Sequence, residues 1–547
     1  MNLQSLFDIP EICHQFGVRQ AVISPGSRNG ALTISFSQHK KIECFSVPDE
    51  RSAGFIALGM SLQTKLPTIL ICTSGSAGLN YFPAIAEAFF NRVPLLILTA
   101  DRPKELIGIR DGQTIYQNGM FGKHIKASYE LSGELEPYRT QETFIKALEN
   151  SVSRIQGPVH LNIPFREPFY PNQLLSPSPI QYSGKSSPAK TTLDETLSFS
   201  EYKKIMIVVG QQSQDYNIES VLSKISIKNK IPVISDVIGN VHNAEHLIVH
   251  QDLILNHDGN GFEPDLLITT GFSVLSKNLK NILRKTNTLE HWHVDVNGDF
   301  VDTFGKLGKC IESDPVHFFE NLLDSYIPSE TQENFYNIWS KQNIKVKQKL
   351  FQLKFDSLTD ILVYQKILQK LPDSIDLHLA NSMAVRYVNY FGLRGKNNIE
   401  VFCNRGTSGI EGTNSTALGY AIVSEKQTIL LTGDMAFLYD RNAFWHNHLP
   451  KNLKIIVINN GGGGIFRLIK GPSDHEELEP YFETDQRSNA EHLCKEYNIQ
   501  YRKVASVNEL DSGLKSFFTQ PGNALLEIFT NKKENEKAFR EMINFCS

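Results

Sequence analysis

The sequence lacks any apolar run approaching the roughly 18 residues that a membrane-crossing helix needs, so membrane insertion is not expected. It also lacks an excess of either charge: 55 Lys and Arg stand against 59 Asp and Glu, a net charge of −4. Without a basic footprint, nucleic acid is not an expected partner. Cysteine is sparse, with seven in 547 residues, at Cys13, Cys44, Cys72, Cys310, Cys403, Cys494 and Cys546. They are scattered, odd in number and contain no Cys-x-x-Cys pair. That pattern reads as reduced thiols, neither a disulfide framework nor a zinc site. Met1 to Pro10 carry no basic-then-apolar signal pattern. A cytoplasmic protein is the expectation, and no low-complexity segment or short repeat interrupts it.

What is present is an ordinary globular composition, 41% hydrophobic and 21% charged, which allows large cores. At about 150 residues per domain the length predicts three or four domains. Residues 1–180 alternate short apolar runs with helix-like ones. The runs Ala21–Ser24, Ile42–Val47, Thr68–Cys72 and Pro94–Leu98 each end in a turn and lead to a helix, the grammar of a parallel α/β sheet. The helix after Glu50 carries Ala53, Gly54, Ala57 and Gly59, small residues that permit close packing against another layer or subunit. Pro and Ser then accumulate from Pro168 to Thr192, with Pro171, Pro177, Pro179 and Pro188, the composition of a linker.

A second α/β block spans 190–330, with strands at 205–209, 232–234, 266–269 and 292–296. Gly210 and Gly271 punctuate it, yet no complete G-x-G-x-x-G follows any strand, so a spacer domain is the better reading than a site for NAD or FAD. Phe335–Lys354 reads as a helix leading into a third block, 355–547. The whole is predicted to be α/β, with three doubly wound parallel-sheet domains.

The third block holds the most informative stretch, Thr428–Leu468. The apolar run Ile429–Leu431 meets Gly433-Asp434, a helix is predicted over Phe437–His448, and the run Ile455–Ile458 ends at Asn459-Asn460 before four glycines. A right-handed crossover puts Asp434 and Asn460 at the carboxyl ends of two parallel strands, where such sheets bind ligands. A carboxylate and an amide oxygen are hard ligands, few in number, as suits Mg²⁺ completed by waters and phosphates. The glycines let backbone approach a diphosphate, and Gly462 can offer its peptide oxygen. The plainer alternative is that Asp434 caps a helix and the glycines turn the chain.

Gly-Asp followed by Asn-Asn and a glycine-rich tail resembles the diphosphate signature of the thiamine-diphosphate enzymes. Met435 stands where that signature usually has Gly. With Leu438-Tyr439-Asp440 and Asn-Asn-Gly-Gly-x-x-Ile-Phe, the stretch resembles one branch, the 2-succinyl-5-enolpyruvyl-6-hydroxy-3-cyclohexene-1-carboxylate synthases of menaquinone biosynthesis. Pro-Asp-Glu50-Arg resembles the family's position for the glutamate that pairs with the aminopyrimidine ring, and the plain alternative there is a favourable helix-dipole charge. Ser24-Pro-Gly-Ser27-Arg28, Thr99-Ala-Asp-Arg102-Pro and Gly112-Gln113 also match that branch. So do Ser276-Lys277, Asn381-Ser382-x-x-Val-Arg386 and Cys403-Asn-Arg405-Gly. Arg28 is read as beginning a helix, and Ser382 and Arg386 as sharing one helix face. Gly112 and Asn278 depart from residues that some relatives carry, Asn and a second basic residue.

The resemblance implies thiamine diphosphate as cofactor with Mg²⁺, or Mn²⁺ in its place. Domain 1–180 would bind the pyrimidine and 355–547 the diphosphate. The cofactor would contact Glu50, Ser74, Gly433, Asp434, Met435, Asn460, Gly462, Ile465 and Phe466, with the metal on Asp434, Asn460 and Gly462. Glu50 and Gln113 would be catalytic. Ser27, Arg28, Arg102, Gln113, Lys277, Ser382, Arg386 and Arg405 would bind substrate, with a purely structural ion pair as the alternative for Arg102. The implied reaction decarboxylates 2-oxoglutarate and adds the resulting carbanion to isochorismate, in a homodimer or a dimer of dimers. Two rivals stand beside it. One is another thiamine-diphosphate enzyme, a 2-keto-acid decarboxylase or acetohydroxyacid synthase; the other is a non-catalytic nucleotide-binding protein.

Overall fold

Short runs of β-branched and aliphatic residues, buried on both faces, build central strands such as Thr68–Cys72, Leu95–Asp101, Ile205–Val209 and Leu453–Asn459, as expected for parallel sheets covered on both sides. The computed structural model describes residues 1–167, 169–180, 197–244, 246–256, 261–287, 289–393, 395–469 and 471–546. The predicted linker therefore lies partly outside the described residues, at Pro168 and at 181–192.

The first sheet consists of β1 (Gln20–Ile23), β2 (Glu43–Ser46), β3 (Thr68–Cys72), β4 (Leu95–Asp101), β5 (Ala127–Glu130) and β6 (Pro158–Pro164). Its order is β2-β1-β3-β4-β6-β5, with parallel pairing. The second consists of β7 (Ile205–Val209), β8 (Val233–Ser235), β9 (Leu266–Thr270), β10 (Glu290–Asp295) and β11 (Leu307–Glu312), in the order β11-β10-β9-β7-β8, also parallel. The third consists of β12 (Ile375–Leu379), β13 (Glu400–Phe402), β14 (Gln427–Gly433), β15 (Leu453–Asn459), β16 (Gln500–Val504) and β17 (Ala524–Phe529), in the order β13-β12-β14-β15-β17-β16. Counting strands from the start of each sheet, the first and third share one order, 2-1-3-4-6-5. In both, the chain lays its second strand on one side of the first and its third on the other. The crevice of a doubly wound sheet opens at that reversal, outside the carboxyl ends of β1 and β3, and of β12 and β14.

Alternation along β7 shows how the central sheet is covered. Ile205, Ile207 and Val209 pack with Trp292 and Phe318 in one core, while Met206 and Val208 pack with Leu267 and Trp339 in another. Trp339 belongs to the helix Glu330–Gln352, close to the one predicted over 335–354. In the first sheet, Ile69, Leu96 and Leu161 share a core with Leu6, Ile9, Phe144 and Leu148. Each such buried side chain contributes about 1.5–3 kcal/mol of burial free energy before entropy is counted.

By backbone packing the chain divides into two compact units. One comprises residues 1–188, 404–430 and 436–454; the other comprises 189–403, 431–435 and 455–547. Within the first unit, the helix Glu50–Thr64 lies against the helix Thr413–Val423. A Cβ on Gly59 would stand 2.1 Å from the Thr416 carbonyl oxygen, and one on Gly419 2.0 Å from that of Ile56, so only glycine allows this approach. Gly54 faces Ala84 and Tyr81. The small residues after Glu50 thus serve packing inside one chain, and in themselves say nothing of a partner subunit.

The predicted helix over 437–448 is not continuous. An α-helix covers Asp434–Tyr439 and a 3₁₀ turn Arg441–Phe444. Asp440 breaks it: its buried carboxylate accepts from the Ser415 amide (2.7 Å) and hydroxyl (2.9 Å), while the Asn414 side chain donates to the carbonyls of Phe437 and Asp440. Burial pushes the Asp440 carboxyl up to about 7, against the opposing Ser415 hydrogen bonds and Arg51 charge. A carboxyl raised in the fold contributes stability below its unfolded value of 3.8 and loses that contribution as pH climbs to about 7. Asp440→Asn should therefore gain melting temperature relative to wild type between pH 4 and 7, with the gain levelling above that. A difference constant across the range would contradict a titrating Asp440.

All seven cysteines are free thiols, five of them buried. Among the described residues, no helix is long and apolar enough to cross a membrane.

Candidate functional site

In the first unit, four loops meet at the carboxyl ends of β1, β3 and β4. Gly26 crosses Thr73 so closely that a Cβ would stand 2.3 Å from the Thr73 Cβ. Gly75 takes φ +85°, and a Cβ there would meet the backbone of Gln113 at 3.2–3.3 Å, so glycine suits both the turn and the contact. Ser74 is buried and accepts a hydrogen bond from Arg102 Nη1 at 3.0 Å, while Arg102 Nε donates to Asp111 at 3.0 Å. The structural ion pair weighed for Arg102 is therefore present, and it leaves the guanidinium on the same edge as Ser74. Ser27 and Gln113 are exposed there.

Arg28 does not begin a helix; the helix starts at Gly30, and Asn29 turns back to donate to the Ser24 carbonyl at 2.9 Å. Arg28 is buried, stacks over Phe169 at 4.1 Å and donates from Nη1 to the Phe165 carbonyl at 2.7 Å. Its Nε has no partner among the described residues. Burial lowers its pKa, and the nearby Arg102 charge adds to that. Two guanidinium groups thus crowd one edge, an arrangement that an anion would relieve.

Gln117, Asn162 and Asp101 hold this edge; Asp101 lies inside the Thr99–Pro103 motif, while Gln117 and Asn162 belong to no motif. Gln117 accepts from the Gly75 amide (2.8 Å) and donates to Asn162 (3.0 Å); Asn162 donates to Asp101 (2.8 Å), which accepts from the Arg102 amide (2.7 Å). Gln117 and Asn162, far apart in the chain and without regular spacing, offer no local signal.

Glu50 opens the helix Glu50–Thr64, one residue after the N-cap Asp49, whose carboxylate accepts from the amides of Arg51 and Ser52 and from Asn442. It is half-buried, and burial raises its pKa, with Asp49 adding to the rise against a backbone hydrogen bond. Arg405 belongs to this unit too. Its loop is anchored by the buried Glu87, which accepts from the amides of Gly406 (2.9 Å) and Thr407 (2.6 Å) and from the Thr407 hydroxyl (2.7 Å).

The second unit carries the Gly-Asp and Asn-Asn-Gly elements. Asp434 is buried at the end of β14, where its Oδ2 accepts from Gln486 at 2.6 Å. Burial pushes its carboxyl up to about 6; hydrogen bonds from Gln486 and the backbone of Met435 and Gly462 oppose this, and the Asp360 charge adds to it. Met435 is half-buried, and nothing lies within 4 Å of where a Cβ on Gly433 would stand. Asn460 follows β15, with its Nδ2 3.4 Å from Asp360 and its Oδ1 buried without a partner among the described residues. Gly462 takes φ +152°, and a Cβ there would sit 2.6 Å from the Glu483 carbonyl oxygen. Ile465 and Phe466 open a single helical turn, with Phe466 against Phe482 at 5.6 Å between centroids. The loop behind is fastened by buried Glu483, gripped by both Nε (2.8 Å) and Nη2 (2.7 Å) of Arg467 and by Lys532 at 3.0 Å.

Lys277, Ser382 and Arg386 lie in this unit as well. Ser382 precedes its helix at φ 69° instead of sharing a face with Arg386, and Arg386 Nη1 donates to its carbonyl at 2.5 Å. Arg386 acts on Asp252, a buried acid raised by burial and lowered by Ser276, Asn278 and this charge. Ser276 donates to Asp252 at 2.6 Å and caps the helix that Lys277 opens, exposed.

The donor set fits a hard divalent cation carrying a diphosphate: one carboxylate, one buried amide oxygen with no partner among the described residues, a glycine run, and open space at Gly433. A comparison with family models agrees. Residues 8–127 match the thiamine pyrophosphate enzyme N-terminal TPP-binding domain, and residues 383–528 match the C-terminal TPP-binding domain. Among curated proteins, the 2-succinyl-5-enolpyruvyl-6-hydroxy-3-cyclohexene-1-carboxylate synthase of Cytophaga hutchinsonii is 44% identical, over 98% of both chains. The synthases of Flavobacterium psychrophilum (38%, 96% of both chains) and Bacteroides thetaiotaomicron (33%, 98% of both) are similar along the same extent. The chain belongs to this synthase family. Its thiamine-diphosphate enzyme character, transferase class and place in menaquinone biosynthesis follow from that membership, and the two rival readings are not favoured.

Proposed function

We propose that this synthase joins 2-oxoglutarate to isochorismate. 2-Oxoglutarate loses CO₂ by cleavage of its C1–C2 bond, and the remaining four-carbon unit forms a C–C bond to the isochorismate ring by conjugate addition. Thiamine diphosphate, when bound, supplies the electron sink for the decarboxylation. The observation that carries the reading is the buried Asn460 Oδ1, without a partner among the described residues, beside Asp434 and the glycine run. Asp434, Asn460 and the Gly462 peptide oxygen would hold Mg²⁺, with Mn²⁺ as an alternative. Ser74, Gly433, Met435, Ile465 and Phe466 would border the cofactor.

Glu50 would hydrogen-bond the aminopyrimidine, where burial raises its pKa. Gln113 would orient the reacting groups. Ser27, Arg28, Arg102, Lys277, Ser382, Arg386 and Arg405 would bind the carboxylates of two dicarboxylic substrates, for which guanidinium forks in a water-poor cleft are suited. Residues 1–180 would act as the pyrimidine-binding domain, 190–330 as a central domain and 355–547 as the diphosphate-binding domain. The proposed assembly is a cytoplasmic homodimer or a dimer of dimers.

Carbon dioxide release from carboxyl-labelled substrates tests the donor assignment. With cofactor, Mg²⁺ and isochorismate present, label should leave 2-oxoglutarate and not pyruvate. Preferential release from pyruvate would place the chain with the acetohydroxyacid synthases instead.

A further inference from the structure

We propose that Asp360 is a positioning residue for the metal site, its carboxylate dictating which way the Asn460 amide faces. The inference rests on the metal reading above and adds a residue to it. Asp360 opens the helix Asp360–Lys370 and is buried. Its Oδ1 is taken by the Thr530 hydroxyl (2.6 Å) and the Asn535 amide (2.8 Å), and Asn535 in return accepts from the Asp360 backbone at 2.8 Å. Only Oδ2 remains, and it faces Asn460 Nδ2 at 3.4 Å.

A carboxylate accepts and does not donate, so only the NH₂ side of the Asn460 amide can turn toward it. The amide oxygen must then face the opposite way, where it lies buried with no partner among the described residues. Reversed, the same side chain would present two N–H donors to a cation and repel it. The two orientations have nearly the same shape, so packing alone discriminates poorly between them. A fixed acceptor behind the amide discriminates strongly, as outer partners of metal ligands generally do.

The geometry makes Asp360→Asn an informative change. Its oxygen would stay with the Thr530 and Asn535 donors, placing the introduced NH₂ against the Asn460 NH₂. Donor would oppose donor, and Asn460 would turn over. In the double variant D360N/N460D the introduced amide donates to one oxygen of the introduced carboxylate and leaves the other for the metal.

Calorimetric titration of the full chain with Mg²⁺, at fixed thiamine diphosphate, tests this. D360N should lower the apparent Mg²⁺ affinity roughly 10- to 100-fold, with the apo-protein melting temperature unchanged, and D360N/N460D should recover most of it. Wild-type Mg²⁺ affinity in D360N, or loss without recovery in the folded double variant, would overturn the proposal. Should D360N fail to fold, the double variant decides alone. Asn460→Ala separates the two levels. If it binds Mg²⁺ like wild type, the metal reading itself fails; if it loses Mg²⁺ while D360N does not, only the role of Asp360 falls.

Discussion

Replacing Glu50 by Gln should leave thiamine diphosphate bound and slow exchange of its C2 proton for deuterium by about 10²–10⁴-fold, the usual contribution of a positioned acid or base. The expectation follows from where the side chain sits. Glu50 is in the first turn of a helix whose N-cap, Asp49, is already occupied by backbone amides and by Asn442. Glu50 is therefore not needed to cap the helix, and among the described residues no hydrogen bond ties its carboxyl to a distant element. Its raised pKa comes mainly from burial, with a second carboxylate next door, and both disfavour the ionised form. Glutamine keeps the shape and a hydrogen bond but cannot exchange a proton. Proton NMR of the quenched cofactor reads the exchange, and calorimetry reads the binding. Undiminished exchange in Glu50→Gln would assign the activating group elsewhere.

Asp434→Ala should abolish Mg²⁺-dependent cofactor binding under conditions that saturate the wild type. Removing the charged partner of a desolvated pair costs about 2–5 kcal/mol, which is roughly 30-fold to several thousand-fold in Kd. Asp434 is the one carboxylate in the proposed ligand set, and the remaining oxygens are an amide and a peptide group. Its Oδ2 is held by Gln486, so the side chain is oriented before any ligand arrives. Wild-type affinity in Asp434→Ala would mean that Asp434 is no metal ligand and that its burial beside the glycine run is a matter of helix capping alone.

The parts of this protein that were legible in the sequence are those with local grammar. Apolar runs such as Thr68–Cys72 and Leu266–Thr270 became central parallel strands because both of their faces are buried. Asp434 and Asn460 were placed at strand ends by the punctuation Gly-Asp and Asn-Asn-Gly, and they are there. What went astray depended on tertiary partners. The helix drawn through 437–448 was amphipathic enough to pass, but Asp440 is drawn into Ser415 and interrupts it. Arg28 reads as a helix start because the turn at Asn29, tied to the Ser24 carbonyl, has no sequence mark. Ser382 reads as part of a helix face because i and i+4 spacing says nothing of a positive φ.

The supporting acids and amides were the least visible. Asp360 meets Asn460 across 100 positions, Gln486 meets Asp434 across 52, and Glu87 meets Thr407 across 320. No periodicity connects such pairs, and each reads on its own as an ordinary polar residue. The equality of strand order between the first and third sheets was equally hidden, since strand order is set by crossovers whose direction short apolar runs do not encode.

The most direct test of the account is to follow isochorismate by absorbance and mass with purified full-length chain, 2-oxoglutarate, thiamine diphosphate and Mg²⁺. Isochorismate should disappear only when all four are present, yielding one CO₂ per molecule of 2-succinyl-5-enolpyruvyl-6-hydroxy-3-cyclohexene-1-carboxylate. Folded, cofactor-loaded protein that leaves isochorismate untouched in the presence of 2-oxoglutarate would contradict the account.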